Sequence, residues 1–202
     1  MRTDIYYNIK NYISTGDMIV FGGKGFISDT IKLFTLSPYS HIGMAVWLNF
    51  PDENIPTLYL AESTTLSNVP DITGEFRSGF QITLMDERIA KFEGKAWLLK
   101  LHEPLASHEA EVLKDFILEC HAKRLKYDTK QAIEAGLDCE PVEWLKDKLG
   151  VKETSDLTEV FCSEIVGAGL VKVNRLAKDT NVSELTPADV VHLPCFEQPY
   201  QL

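Results

Sequence analysis

Along the first half of the chain, apolar residues fall in short runs separated by turn-forming residues. Asp17–Phe21 (DMIVF), His41–Leu48 (HIGMAVWL), Thr57–Glu62 (TLYLAE), Gln81–Leu84 and Lys95–Leu101 read as strands. A helix over about Gly25–Phe34 interrupts them. Beyond residue 106 the period lengthens. Leu113, Phe116, Ile117 and Cys120 recur at helical spacing behind Ser107, an apt N-cap, while Glu109 and Glu111 suit the positive end of the helix. A shorter helix over Val142–Leu149 follows Pro141, and a third covers about Glu159–Val171 with Thr158 near its cap. Strands followed by helices predict an α+β fold rather than a doubly wound parallel sheet. No repeat, low-complexity tract or linker divides the 202 residues, so residues 1–202 are expected to form a single domain.

Charge narrows the partners. Thirty acidic residues against twenty basic ones give a formal net charge of -10, a field that repels phosphate backbones and anionic lipid surfaces. No nucleic-acid partner is expected. Cys120, Cys139, Cys162 and Cys195 have neither CxxC spacing nor the density of a disulfide framework, and read as thiols of a reducing compartment. His102, His108, His121 and His192 share no partner spacing, so no metal is expected. The N-terminal MRTDIYYNIKNYISTGD lacks the apolar core of a secretory signal, and no run approaches the roughly 20 apolar residues of a membrane span. The expectation is a cytoplasmic protein with no integral membrane segment. Oligomeric state is not legible.

The glycine cluster FGGKGFIS (Phe21–Ser28) lies where phosphate loops occur, but Lys24 is followed by Gly25 instead of Ser or Thr, leaving Mg²⁺ without its usual hydroxyl. It reads as a strand-to-helix turn, and no cofactor is expected. His41 opens a strand on which it shares a face with Gly43, Ala45 and Trp47. The small residues leave room for another element, such as a helix, on that face. Taken alone, such a histidine is an ordinary structural residue. Glu62 falls on the face of Leu58 and Leu60, where a carboxylate either emerges at a strand end or needs a hydrogen-bonding partner. Cys162, in VFCSEIVGAGL, lies in a first helical turn, whose backbone dipoles favour a thiolate beside an imidazole; alternatively it is a buried structural thiol. Gly167, Ala168 and Gly169 would let this helix pack closely against the sheet face of His41. Tyr39 and Ser40 either line a site or turn the chain beside Pro38. Glu164 points about 200° away from Cys162 and reads as structural.

Together GDMIVF (Gly16–Phe21), SHIGMAV (Ser40–Val46), LAES (Leu60–Ser63), FCSEIV (Phe161–Val166) and LTPADV (Leu185–Val190) resemble the circularly permuted branch of the NlpC-type, papain-like cysteine hydrolases. In that branch the histidine strand precedes the cysteine helix. The resemblance runs from Gly16 to about Val190. It implies a papain-like α+β fold in permuted order, with an antiparallel sheet or small barrel packed against helices. It also implies Cys162 as nucleophile, His41 as general base and acid, and Glu62 as the residue orienting the imidazole. The implied substrates are small peptides, amino-acid conjugates or acyl lipids. The expected reaction is cleavage of a small amide through an acyl-thioester. Acyl transfer, thioester or lipid hydrolysis is one alternative, and a non-catalytic ligand-binding module with the same fold is another. A redox protein would need a resolving cysteine, and none lies near Cys162 in sequence.

Overall fold

The alternating runs of the first half form a sheet with two buried faces. The computed structural model describes residues 2–23, 37–51, 55–125, 161–182 and 185–202. The chain begins with α1 (Arg2–Ile9) and a short 3₁₀ turn, then enters β1 (Met18–Gly23), β2 (His41–Leu48), β3 (Thr57–Thr64) and β4 (Gly79–Leu84). Helix α2 (Met85–Lys91) leads into β5 (Gly94–Leu99), and α3 (Ser107–Ala122), α4 (Phe161–Lys172), α5 (Pro187–Val191) and β6 (Tyr200–Gln201) complete it. The six strands lie in the order β4-β3-β2-β1-β5-β6, every pair antiparallel. The molecule is therefore α+β, an antiparallel sheet packed against helices. The helices expected over Gly25–Phe34 and Val142–Leu149, like Cys139 and Thr158, lie outside the described residues.

Because side chains alternate along a strand, each strand supplies two cores. Met18, Val20, Ile42, Met44 and Val46 turn one way, against the apolar stripe of α3 and against α4. Ile19, Phe21, Ala45, Leu58 and Leu60 turn the other way, toward Tyr6 of α1 and Met85 and Ile89 of α2. Three short elements escape sequence reading. Helix α1 has no strong apolar period; its place is fixed by the buried Tyr6, whose hydroxyl donates to Asp86 at 2.6 Å. Helix α2 has only seven residues and β6 only two, too few to show a period.

Two local expectations are corrected. Ser107 is not the cap but the first residue of α3. Ala106 holds the cap position, its N–H donating to the Glu109 carboxylate at 2.9 Å, and Arg175 engages both oxygens of that carboxylate, tying the start of α3 to the end of α4. Nor does the cysteine helix lie on the face of His41. Gly169 of α4 sits under Met44, where an added Cβ would come within 2.9 Å of its sulfur, and Met44 points to the opposite side of β2. Gly167 faces Val182 and Leu185 instead of the sheet. Small residues record a close approach without recording to which face.

Candidate active site

His41 is the first residue of β2 and Cys162 the second of α4, and the two side chains meet where these elements begin, in a hydrogen bond. The ring lies beside Phe21, its cross-strand neighbour on β1, with centroids 5.7 Å apart. Its Nε2 is 2.5 Å from Oε2 of Glu62, which leaves Nδ1 for the thiol. Cys162 is buried, whereas the His41 side chain keeps 16% exposure, so the ring is the part of the set nearest solvent.

Glu62 is not a solvated strand end. Strand β3 runs two residues further, to Thr64, and Glu62 pairs with Gln81 of β4 in the interior of the sheet. It is 1% exposed. A lone buried carboxylate would take up a proton, since burial disfavours charge. Here Arg88 reverses that. Its Nε donates to Oε1 at 2.5 Å and its Nη2 to Oε2 at 3.1 Å, and the nearby His41 adds to the effect. Although burial pushes upward, the Arg88 charge and the His41 bond bring the Glu62 carboxyl down to about 2. For His41 burial likewise disfavours the cation, but Cys162 and then Glu62 outweigh it and raise the imidazole to about 9. The arrangement therefore favours a carboxylate beside an imidazolium across neutral pH.

Gly43 makes the His41–Glu62 contact possible. Both flanking side chains project from the same sheet face, His41 two residues before Gly43 on β2 and Glu62 across on β3. A Cβ at position 43 would lie 2.9 Å from the Cβ of Glu62 and 3.1 Å from the carbonyl oxygen of Ala61, neither of which is a flexible chain end. The small residue beside the histidine thus admits the carboxylate, not a helix backbone. Gly43→Ala is expected to displace Glu62, lower stability by about 1–3 kcal/mol and weaken the His41–Glu62 bond. Urea unfolding measures the first effect and imidazole NMR the second; a wild-type midpoint with an unchanged His41 signal would contradict this account of the glycine.

Arg88 is the residue that sequence reading misses. It lies in α2 between Met85 and Ile89, buried with them at 2% exposure, and its guanidinium stacks over Phe21 at 4.6 Å and near Phe92 at 5.2 Å. An arginine on the apolar stripe of a short helix is the available signal, since a buried cation requires a partner.

The other polar residues raised by the sequence have local tasks. Ser40 accepts from the N–H of Gly23 and donates to the carbonyl of Phe21, clamping the start of β2 to β1. Tyr39 packs edge-on against Trp97 at 5.0 Å. Ser163 donates to the carbonyl of Leu185 at 2.5 Å. Glu164 is half-buried, and burial raises it to about 7. His121 binds the buried Asp71 at 2.7 Å, and His192 Nδ1 donates to the carbonyl of Ala188 at 2.7 Å.

No family model matches this chain, and no curated protein matches it. Among solved structures it is similar to the crystal structure of the metalloprotein yiiX from Escherichia coli O157:H7, a DUF1105 protein. The two share 22% identity over 94% of this chain and 96% of that one, with a TM-score of 0.51. At that identity the likeness is one of fold. Among the described residues no helix is long and apolar enough to cross a membrane.

Proposed function

We propose that this protein is a cysteine hydrolase that cleaves an amide bond of a small peptide or amino-acid conjugate. The observation that carries the reading is the chain of contacts from Cys162 through His41 to Glu62, brought together from α4, β2 and β3. The order of those elements, histidine strand before cysteine helix, supports a papain-like fold in permuted order.

The proposed steps use that geometry. The Sγ proton rests on Nδ1 of His41, in the imidazolium that the site favours, and the sulfur attacks the substrate carbonyl carbon, forming a C–S bond as the carbonyl π pair moves to oxygen. The backbone N–H of Cys162 at the start of α4 is the donor assigned to that oxyanion. The pair returns, the C–N bond breaks, and the imidazolium gives its proton to the departing nitrogen, leaving an acyl-thioester. Water, deprotonated by the neutral ring, attacks the thioester; the C–S bond then breaks and the proton returns to sulfur. Throughout, Glu62 accepts the Nε2–H, which fixes the tautomer and stabilises the cation.

The yiiX protein is called a metalloprotein; among the described residues of this chain no three His, Cys, Asp or Glu side chains form a group that could hold an ion. The proposed steps run through the side chains alone.

Limited iodoacetamide labelling with peptide mass spectrometry tests the reading. Cys162, although buried, is expected to label about tenfold faster than Cys195, which is more exposed, and faster than the buried Cys120. His41→Ala should abolish the preference. Labelling that follows exposure alone, Cys195 first, would count against a catalytic thiol and favour a binding module.

A further inference from the structure

A carboxylate that merely accepts one hydrogen bond from an imidazole is free to turn about its last torsion. Glu62 is not. Its Oε1 is taken by Arg88 Nε, and its Oε2 is shared between Arg88 Nη2 and His41 Nε2. The two arms of one planar guanidinium fix the carboxylate plane, and the shared oxygen is the one the histidine uses. The guanidinium is itself held by Phe21, the same ring that flanks His41. Phe21 therefore touches both ends of the Arg88–Glu62–His41 row.

We propose that Arg88 is a positioning residue of the site: its fork holds Glu62 so that Oε2 stays turned toward Nε2 of His41, and its charge reaches the imidazole through that shared oxygen. This rests on the Cys162–His41–Glu62 reading above. The arginine meets Glu62, Phe21 and Phe92, and its path to the ring runs through the carboxylate. Its effect is on which ring nitrogen carries the proton and on how firmly that proton is held. Among the described residues, the ionisable groups facing His41 are Glu62 from β3 and Cys162 from α4, with Arg88 of α2 behind the carboxylate. Arg88 is the one fixed cation of the four.

A buried ion pair that served stability alone would make different predictions. Its loss would lower the unfolding midpoint and leave the titration of a neighbouring ring where it was, apart from general loosening. A positioning role requires that the ring itself report the change, and that the report vanish when Glu62 is no longer an acid.

The test is nitrogen-15 and proton NMR of histidine-labelled protein, with His41 assigned by its absence in His41→Ala. Wild type is expected to show a downfield, slowly exchanging Nε2–H proton and an imidazolium that persists to about pH 9. Arg88→Lys keeps the charge but not the fork, and should lose the downfield proton with the titration near its wild-type position. Arg88→Met removes a cation, so the His41–Glu62 pair should hold its proton about one pH unit higher. Glu62→Gln and Glu62→Gln/Arg88→Met should differ in His41 titration by less than wild type and Arg88→Met do, because the carboxylate that links the arginine to the ring is gone. The double variant strands neither buried charge and Arg88→Lys keeps a cation beside Glu62, so these two serve if Arg88→Met or Glu62→Gln alone does not fold.

An unchanged downfield proton in Arg88→Lys overturns the proposal. So does a difference between the two Glu62→Gln proteins as large as that between wild type and Arg88→Met. Iodoacetamide labelling of the same samples separates the two ideas. Preferential, His41-dependent labelling of Cys162 with unmoved His41 signals in the arginine variants removes only the positioning role. Absence of that preference in wild type removes both.

Discussion

Cys162→Ala is expected to lower hydrolysis of a small aminoacyl p-nitroanilide or an activated acyl ester by about 10⁴–10⁶-fold, with little change in the urea unfolding midpoint. The first half of that expectation follows from the role of the thiol. Without sulfur no acyl-thioester forms, and what remains is the rate supplied by binding and the oxyanion donor. The second half follows from size: alanine in place of a small buried thiol costs little packing. His41→Ala should fall in the same range, because sulfur without a base has no place to send its proton. The informative variant is the double one. Nucleophile and base act as a unit, so Cys162→Ala/His41→Ala should be no slower than either single variant. Multiplying losses would mean that the two residues act independently, contrary to the hydrogen bond between them. Turnover unchanged in either single variant would end the assignment.

The largest effect on stability belongs to the buried pair behind the histidine. Arg88→Met leaves Glu62 buried against His41 alone, and breaking a buried pair in this way costs about 3–5 kcal/mol. Removing both charges in Glu62→Gln/Arg88→Met should recover much of that loss, since neither partner is then stranded. The pH dependence follows from the same charges. Glu62 is held at about 2 in the folded protein against an ordinary 4.5. A carboxyl lowered by folding stabilises fully above its unfolded value, and the contribution is lost as pH falls from 4.5 through about 2; the difference corresponds to about 3 kcal/mol. His41 acts in the opposite sense. Its imidazole is raised from 6.5 to about 9, so its contribution is full below 6.5 and is lost as pH rises through 9. Urea midpoints of wild type should therefore be highest between about pH 4.5 and 6.5 and fall on both sides. In the doubly neutral variant the acid fall should be shallower. An equally steep acid limb in that variant would place the acid sensitivity elsewhere, at Asp71 for example, whose carboxyl Thr73 and His121 hold below its usual value despite burial.

The sheet is legible in the sequence because alternation is a local property. His41–Leu48 is bounded to the residue, and β1, β3, β4 and β5 to within two, since each alternates between two buried faces. Cys162, His41 and Glu62 are legible as chemical types in suggestive places, and the structure brings all three together. What the sequence withholds is direction. Gly167, Ala168 and Gly169 mark a helix that packs closely, but only the packed molecule shows Gly169 under Met44 and the helix on the side away from His41. Gly43 suggests room for a helix and proves to be room for a carboxylate. Arg88 is hidden for a different reason. In a seven-residue helix one turn of pattern cannot be told from accident, and the partner that makes its burial tolerable lies 26 positions away on β3. Long-range charge pairing leaves no periodic trace.

The most direct test of the central claim is to treat the protein with a p-nitrophenyl acyl ester, quench in acid and map the acyl group by peptide mass spectrometry. The account predicts a single acyl-thioester on Cys162, absent in His41→Ala and accumulating when deacylation is slow. Acyl groups spread over Cys120, Cys195 and surface amines, in equal amounts with and without His41, would contradict it.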